Sequence, residues 1–79
     1  MEYKINLERI RELRLNKNIS LKTMAEVIGV ETIATYQKKE TGALRFNLIE
    51  AKKLASFFEM TIEELFFEEE DSETENKEQ

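Results

Sequence analysis

Four times along its 79 residues the chain places a short polar residue directly after an apolar one, with an apolar or acidic residue one turn later. Asn6 follows Ile5 and lies four before Ile10. Ser20 follows Ile19 and lies four before Met24. Asn47 follows Phe46, with Glu50 three residues on. Thr61 follows Met60, with Glu64 and Leu65 three and four on. A side-chain oxygen in such a place accepts a hydrogen bond from an otherwise unpaired N–H of a first helical turn, worth about 1 kcal/mol. The flanking apolar pair acts as a staple, and the acid three residues on completes a capping box. These are helix starts. The chain has no proline and two glycines, so little interrupts what the caps begin, and the fold class expected is all-α.

The spacing predicts five helices. The first covers 7–17, with Leu7, Ile10 and Leu13 on one face. The second covers 21–28, with Met24, Ala25 and Ile28 inward, and Gly29 ends it in the left-handed conformation that a C-terminal cap prefers. A third lies within 32–40 and stops before Gly42. The fourth covers 48–58, with Leu48, Ala51, Leu54, Ala55 and Phe58 at spacings of three and four. The last is short, 62–67. Connections of this length join neighbouring helices in a compact bundle. No internal repeat is found.

Composition narrows the function. Without Cys or His, the chain lacks a thiolate, the commonest general base and the commonest zinc ligands. No run approaches the roughly 18 apolar residues of a membrane span, so a cytoplasmic protein without membrane contact is expected. The formal charge of −5 is unevenly spread: residues 1–67 sum to +1 and residues 68–79 to −6. The expected organisation is one domain over 1–67 and a disordered acidic tail over 68–79, too polar to bury enough surface to offset ordering. Its abundant carboxylates lie on a short helix and this tail, with no sign of a pocket to shift a pKa. No enzyme activity and no cofactor is expected.

The order of these elements carries a resemblance. "ISLKTMAEVIGV" (19–30) looks like the second helix and turn of the Cro/CI-type helix-turn-helix domain, the XRE family of bacterial and phage transcriptional regulators. "YQKKETG" (36–42) resembles the end of that family's recognition helix. "NLIEAKKLASFFEMTIEELFF" (47–67) resembles its fourth and fifth helices. The likeness covers residues 5–67 and implies a compact five-helix bundle of the lambda-repressor-like DNA-binding type. Four departures stand out. One extra residue falls near Glu31, a placement that keeps Tyr36 inward. Leu21 stands where the family often has Gln, Lys39 where it has an apolar residue, and Glu59 where it has Gly.

The resemblance implies that the helix within 32–40 enters the major groove, with Thr32, Ile33, Ala34, Gln37 and Lys38 toward the bases. Gln37 can pair with adenine and Lys38 with guanine, and Ile33 and Ala34 can pack on thymine methyls. Lys22, Lys39, Thr41, Arg45 and Asn47 are the implied phosphate contacts, helped by backbone N–H groups at the starts of helices two and four. Arg9, Arg11, Arg14 and Lys17 interleave with Glu8 and Glu12 and read as a solvated helix face. So few cations near the groove make a single copy a weak binder and point to a homodimer on a two-fold operator, its recognition helices about 34 Å apart. Phe57, Ile62, Phe66 and Phe67 are the candidate dimer interface; alternatively they are core. The leading expectation is sequence-specific binding of double-stranded DNA by a small regulator, a repressor of bacterial or phage type, with no room for a sensor domain. The alternative is a protein-binding adaptor on the same fold with weak or no DNA affinity, favoured by Leu21, Ile33 and the acidic tail.

Overall fold

Each expected cap closes on its own helix. In the computed structural model, which describes residues 3–69 (side chains over 5–67), the Asn6 side chain accepts from the Arg9 amide, Ser20 from Thr23, Asn47 from Glu50 and Thr61 from Glu64. Behind these caps run α1 (Leu7–Asn16), α2 (Leu21–Ile28), α4 (Leu48–Phe57) and α5 (Ile62–Phe66). A further cap, Thr32, starts α3 (Ile33–Thr41). Glu50 and Glu64 reach back to the cap amides of Asn47 and Thr61, so α4 and α5 carry complete capping boxes.

The helix ends are satisfied locally too. Gly29 and Gly42 close α2 and α3 in the left-handed region, at φ 82° and 94°. Glu59 holds the equivalent place after α4 at φ 59°, a conformation that costs a side-chain-bearing residue about 1–2 kcal/mol. It persists because the Glu59 and Met60 amides bond back to Ser56 and Ala55. The expected boundaries move by one residue at four ends: Lys17 and Phe58 are caps, Phe67 has left α5, and α3 runs on to Thr41.

Phe67 instead begins a strand. Two three-residue strands, β1 (Tyr3–Ile5) and β2 (Phe67–Glu69), pair antiparallel with Ile5 opposite Phe67, and the Asn6 amide donates to the Phe66 carbonyl. This ribbon ties the start of the bundle to its end. It also takes Glu68 and Glu69 out of the expected tail, because a backbone ladder can form without apolar side chains. The expectation of a disordered tail otherwise falls on residues 70–79, which lie outside the described residues.

The core is one cluster. Ile10, Met24, Ala25, Ile28, Tyr36, Leu54, Ala55, Leu65 and Phe66 are buried, with Ala51 and Phe58 at its edge. α2 packs on both α3 and α4, α1 on α3 and α5, and α4 on α5. Two expectations fail. Leu48, placed on the inward face, is 76% exposed. Phe46 takes that region instead, its ring edge-on to Tyr36 and Phe66 with centroids 6.2 and 5.3 Å away. Ile5 was expected to staple onto Ile10, yet it is 60% exposed while Ile10 is fully buried. Its backbone is drawn into the ribbon.

Candidate nucleic-acid interface

α3 divides cleanly into two faces. Tyr36 and Glu40, four apart, are buried, whereas Ile33, Ala34, Gln37, Lys38 and Thr41 are exposed. That exposed stripe contains every residue of the helix expected to face bases. Most of the division follows from Tyr36: its apolar ring goes inward, and 3.6 residues per turn place Ala34, Gln37, Lys38 and Thr41 away from it. Ile33, only about 60° round from Tyr36, is instead exposed at the first residue of the helix. Glu31 is exposed in the turn between α2 and α3, which agrees with an extra residue accommodated there. Thr32, the remaining candidate, is exposed but acts as the cap. Its Oγ1 accepts from the Thr35 amide at 3.1 Å and is hydrogen-bonded to Thr35 Oγ1 at 2.8 Å, where either hydroxyl can donate.

The inward face of α3 is polar at its end. Arg14 of α1 donates from Nε and Nη2 to the two carboxylate oxygens of Glu40, at 2.9 and 3.0 Å. The Tyr36 hydroxyl donates to Glu40 Oε2 at 2.9 Å. The Arg14 and Glu40 side chains are only 12% and 4% exposed. Arg14 therefore does not belong to a solvated face, as the interleaved charges of α1 suggested; α3 covers it and supplies its counter-ion. The hydrogen bond to Glu40 holds the Arg14 pKa above its ordinary value against the cost of burial. Burial, reinforced by the bond to Glu40, pushes the Tyr36 phenol well above the usual tyrosine range.

The expected phosphate contacts separate. Lys22 at the start of α2 and Arg45 before α4 are exposed, with no side-chain hydrogen bond or ion pair among the described residues. Thr41 is exposed but donates its hydroxyl to the Lys38 carbonyl at 3.2 Å. Asn47 is exposed, with Oδ1 held by the Glu50 amide at 2.7 Å. Lys39 is a correction. Its ammonium donates to Glu50 Oε1 at 2.9 Å and to the Arg45 carbonyl at 2.8 Å, with the side chain 12% exposed. Its ammonium is committed to these two oxygens, because a half-buried ammonium needs an anion close by.

The same pair alters the start of α4. Glu50 Oε1 also accepts from the Asn47 amide at 2.9 Å. A carboxylate thus already occupies the Asn47 amide at that helix end, and the Glu50 amide is taken by Asn47 Oδ1. Burial raises the Glu50 pKa, but the bonds from Lys39 and the Asn47 amide and the charges of Lys39 and Lys53 outweigh it, so the net shift is downward. α2 differs: Ser20 Oγ accepts from the Thr23 amide and donates to Thr23 Oγ1, both at 3.0 Å, and no acid occupies the first turn.

Of the interface candidates, Phe66 is core, 5% exposed, because it meets Phe46 beneath α5. Ile62 is half-buried against the core. Phe57 and Phe67 are exposed at 41% and 37%. Phe67 lies on a shallow apolar groove of about 680 Å³ with Ile5, Leu44, Leu48 and Ile62.

This arrangement, a capped helix, a glycine turn and a second helix whose outer stripe stands clear of the bundle, can be compared with known proteins. A family model described as helix-turn-helix matches residues 10–65. The chain belongs to the XRE-type helix-turn-helix family. This helix-turn-helix chain is 37% identical over 70 residues to the HTH-type transcriptional regulator AnsR of Bacillus subtilis (strain 168), an alignment that takes in 89% of the chain and 60% of that regulator's length. Its fold matches the crystal structure of a transcriptional regulator from Listeria innocua with a TM-score of 0.76 at 19% identity, covering 90% of this chain and 67% of the other.

The Arg14–Glu40 pair and the bond from Lys39 to Glu50, whose capping role was expected, are the features near the site that sequence reasoning missed. One signal for Glu40 was present. It lies four residues after Tyr36, so whatever buries the ring also buries the carboxylate. Arg14, between Leu13 and Leu15 on an amphipathic helix, gave no comparable sign of its partner.

Proposed function

We propose that the protein is a transcriptional regulator that binds double-stranded DNA sequence-specifically, with α3 in the major groove. The observation that carries this reading is the exposed stripe Ile33, Ala34, Gln37 and Lys38 on a helix whose opposite side is held in the core by Tyr36 and Glu40. The stripe mixes amide, ammonium and aliphatic groups, which suits base edges and thymine methyls. Membership of a helix-turn-helix family and likeness to a named transcriptional regulator support it.

Lys22, Lys38 and Arg45 are the exposed cations at this surface. With Lys38 at the bases, the two cationic phosphate contacts per copy, Lys22 and Arg45, give a salt slope of about −2, and two copies about −4. Such a slope favours action as a pair, and the groove beside Phe67 is where a second copy would dock. We read the regulator as a repressor, one that would act by covering a promoter. The exposed groove also favours a second reading, a protein-binding adaptor on the same fold. A salt-dependent shift of a generic duplex separates the two, because only phosphate neutralisation releases counterions.

The sharper test compares Lys38→Ala with Arg45→Ala on duplexes selected from a random pool. Loss of Lys38 should relax preference at one or two base pairs, by about 1–3 kcal/mol each. Loss of Arg45 should weaken all sequences alike and lower the salt slope by about one. Equal, sequence-independent effects from both variants would refute the face assignment.

A further inference from the structure

Lys39 and Glu40 are adjacent in sequence, opposite in charge and bonded to different neighbours. Lys39 reaches forward to Glu50 at the start of α4, and Glu40 receives Arg14 from α1. Around a helix, consecutive residues point about 100° apart. The two charges therefore label two directions with opposite signs. Turning α3 by one residue one way would bring Lys39 against Arg14. Turning it the other way would bring Glu40 against Glu50. Each alternative sets like charges together where little water can screen them.

Apolar packing gives α3 much less directional information. The only side chains it buries fully are Tyr36 and Glu40, whereas α2 buries Met24, Ala25 and Ile28 and α4 buries Ala51, Leu54 and Ala55. A helix held by one ring can roll about that ring. The angle matters because side chains lie about 5–6 Å from the helix axis, so a roll of about 20° moves them by about 2 Å. A hydrogen bond to a base edge does not survive that displacement.

We propose that the Lys39–Glu50 and Arg14–Glu40 ion pairs set the rotation of α3, which makes Lys39 and Glu40 positioning residues for base recognition. This rests on the DNA-binding reading above. The pairs act on discrimination rather than on attraction, because neither Lys39 nor Glu40 faces the duplex. Lys39 also bonds the Arg45 carbonyl, so the same contact sets the loop that carries Arg45 relative to the groove stripe.

The test uses the full chain with Lys39→Met, Glu50→Gln and the two combined. Methionine keeps the apolar stem, and glutamine keeps an acceptor for the Asn47 amide. Affinity for a selected duplex and a scrambled one is measured across salt, and amide exchange is measured without DNA. Each single variant should stay helical, keep the wild-type salt slope and lower the selected-to-scrambled ratio by about tenfold. The double variant should lose no more than about threefold beyond either single one, because both break the same pair. Without DNA, α3 amides should exchange about tenfold faster while those of Met24 and Leu54 stay protected. A ratio within about twofold of wild type overturns the proposal, as does a salt slope reduced by about one with the ratio intact, since Lys39 would then be a phosphate contact. Failure of the wild-type chain to discriminate any duplex would instead defeat the DNA-binding reading; the exchange measurement still decides the positioning role, and unchanged α3 protection overturns it. Should Lys39→Met fail to fold, Lys39→Arg, which can keep the pair, decides by the same ratio: retention supports the proposal and loss overturns it.

Discussion

Replacing Arg14 by methionine strips Glu40 of its counter-ion while leaving the volume between α1 and α3 nearly filled. Glu40 is 4% exposed at its side chain, so water cannot readily take the place of the guanidinium. Breaking a buried pair from one side costs about 3–5 kcal/mol. The Tyr36 hydroxyl still donates to one carboxylate oxygen, which places the expectation near the lower end, about 3 kcal/mol. A domain of this size has roughly 4–12 kcal/mol in total, so the loss is a large part of the whole. In urea, with a slope of about 1 kcal/mol per molar for a small domain, the midpoint should fall by about 3 M. Adding Glu40→Leu to Arg14→Met removes the stranded charge and should recover most of that stability, since apolar replacement of a whole buried pair is often neutral or better. Chemical denaturation followed by circular dichroism measures both variants. A cost below about 1 kcal/mol for Arg14→Met alone would refute the argument, because that is the size of a surface pair.

Glu59→Gly relieves a left-handed glutamate at φ 59° and should raise stability by about 0.5–1 kcal/mol after the entropy of the added glycine is counted; a melting temperature that stays put or falls would contradict this. Asn18, at φ 57°, should gain less from the same change, since asparagine tolerates this region. The Tyr36 phenol is raised in the folded state, so its contribution is complete below the unfolded value of about 10 and is lost as pH climbs toward the higher folded value. Tyr36→Phe should flatten the decline in urea midpoint on the alkaline side. Glu50 is lowered when folded, so its contribution is present above about pH 4.3 and disappears as pH falls through the lower folded value; Glu50→Gln should remove that acid-side loss. Phe67→Glu should yield a folded monomer by sedimentation if two copies meet at the groove. A sedimentation mass at micromolar concentration equal to that of the wild type would place the contact elsewhere.

The helices were legible because a cap is a conversation over three residues. Asn6, Ser20, Asn47 and Thr61 announce their partners within one turn, and the structure forms each of those bonds. The outer stripe of α3 was legible for a related reason: once Tyr36 goes inward, helical geometry assigns Ala34, Gln37 and Lys38 to the outside; Ile33, three residues before Tyr36 and so near its side of the helix, is exposed at the first residue of α3. What escaped depends on contacts distant in sequence. Arg14 and Glu40 are 26 residues apart, and the choice of Glu40 over the acids beside Arg14 in α1 is made by the crossing of two helices. The ribbon joins the two ends of the domain through backbone groups, which leave no pattern in side chains. Leu48 obeyed the apolar spacing yet lost its place to Phe46, which stands before the cap and reaches the same space from the loop.

One further distinction was written in the caps themselves. α4 and α5 have glutamate at the third helical position, and α2 and α3 have threonine there, Thr23 and Thr35. A carboxylate in that place folds back onto the cap amide and neutralises the positive end of the helix dipole, as Glu50 does with Lys39 beside it. A threonine offers only a neutral hydroxyl to the cap: Ser20 Oγ donates to Thr23 Oγ1, and Thr32 and Thr35 are joined by one hydroxyl hydrogen bond. The two helices of the helix-turn-helix unit thus keep their N-terminal dipole ends unneutralised by a first-turn acid, while those of α4 and α5 are occupied from within. In the proposed pose, the start of α2 is turned toward phosphate and the start of α3 toward the bases. Omitting acids from those two first turns leaves both helix starts favourable to a negative charge.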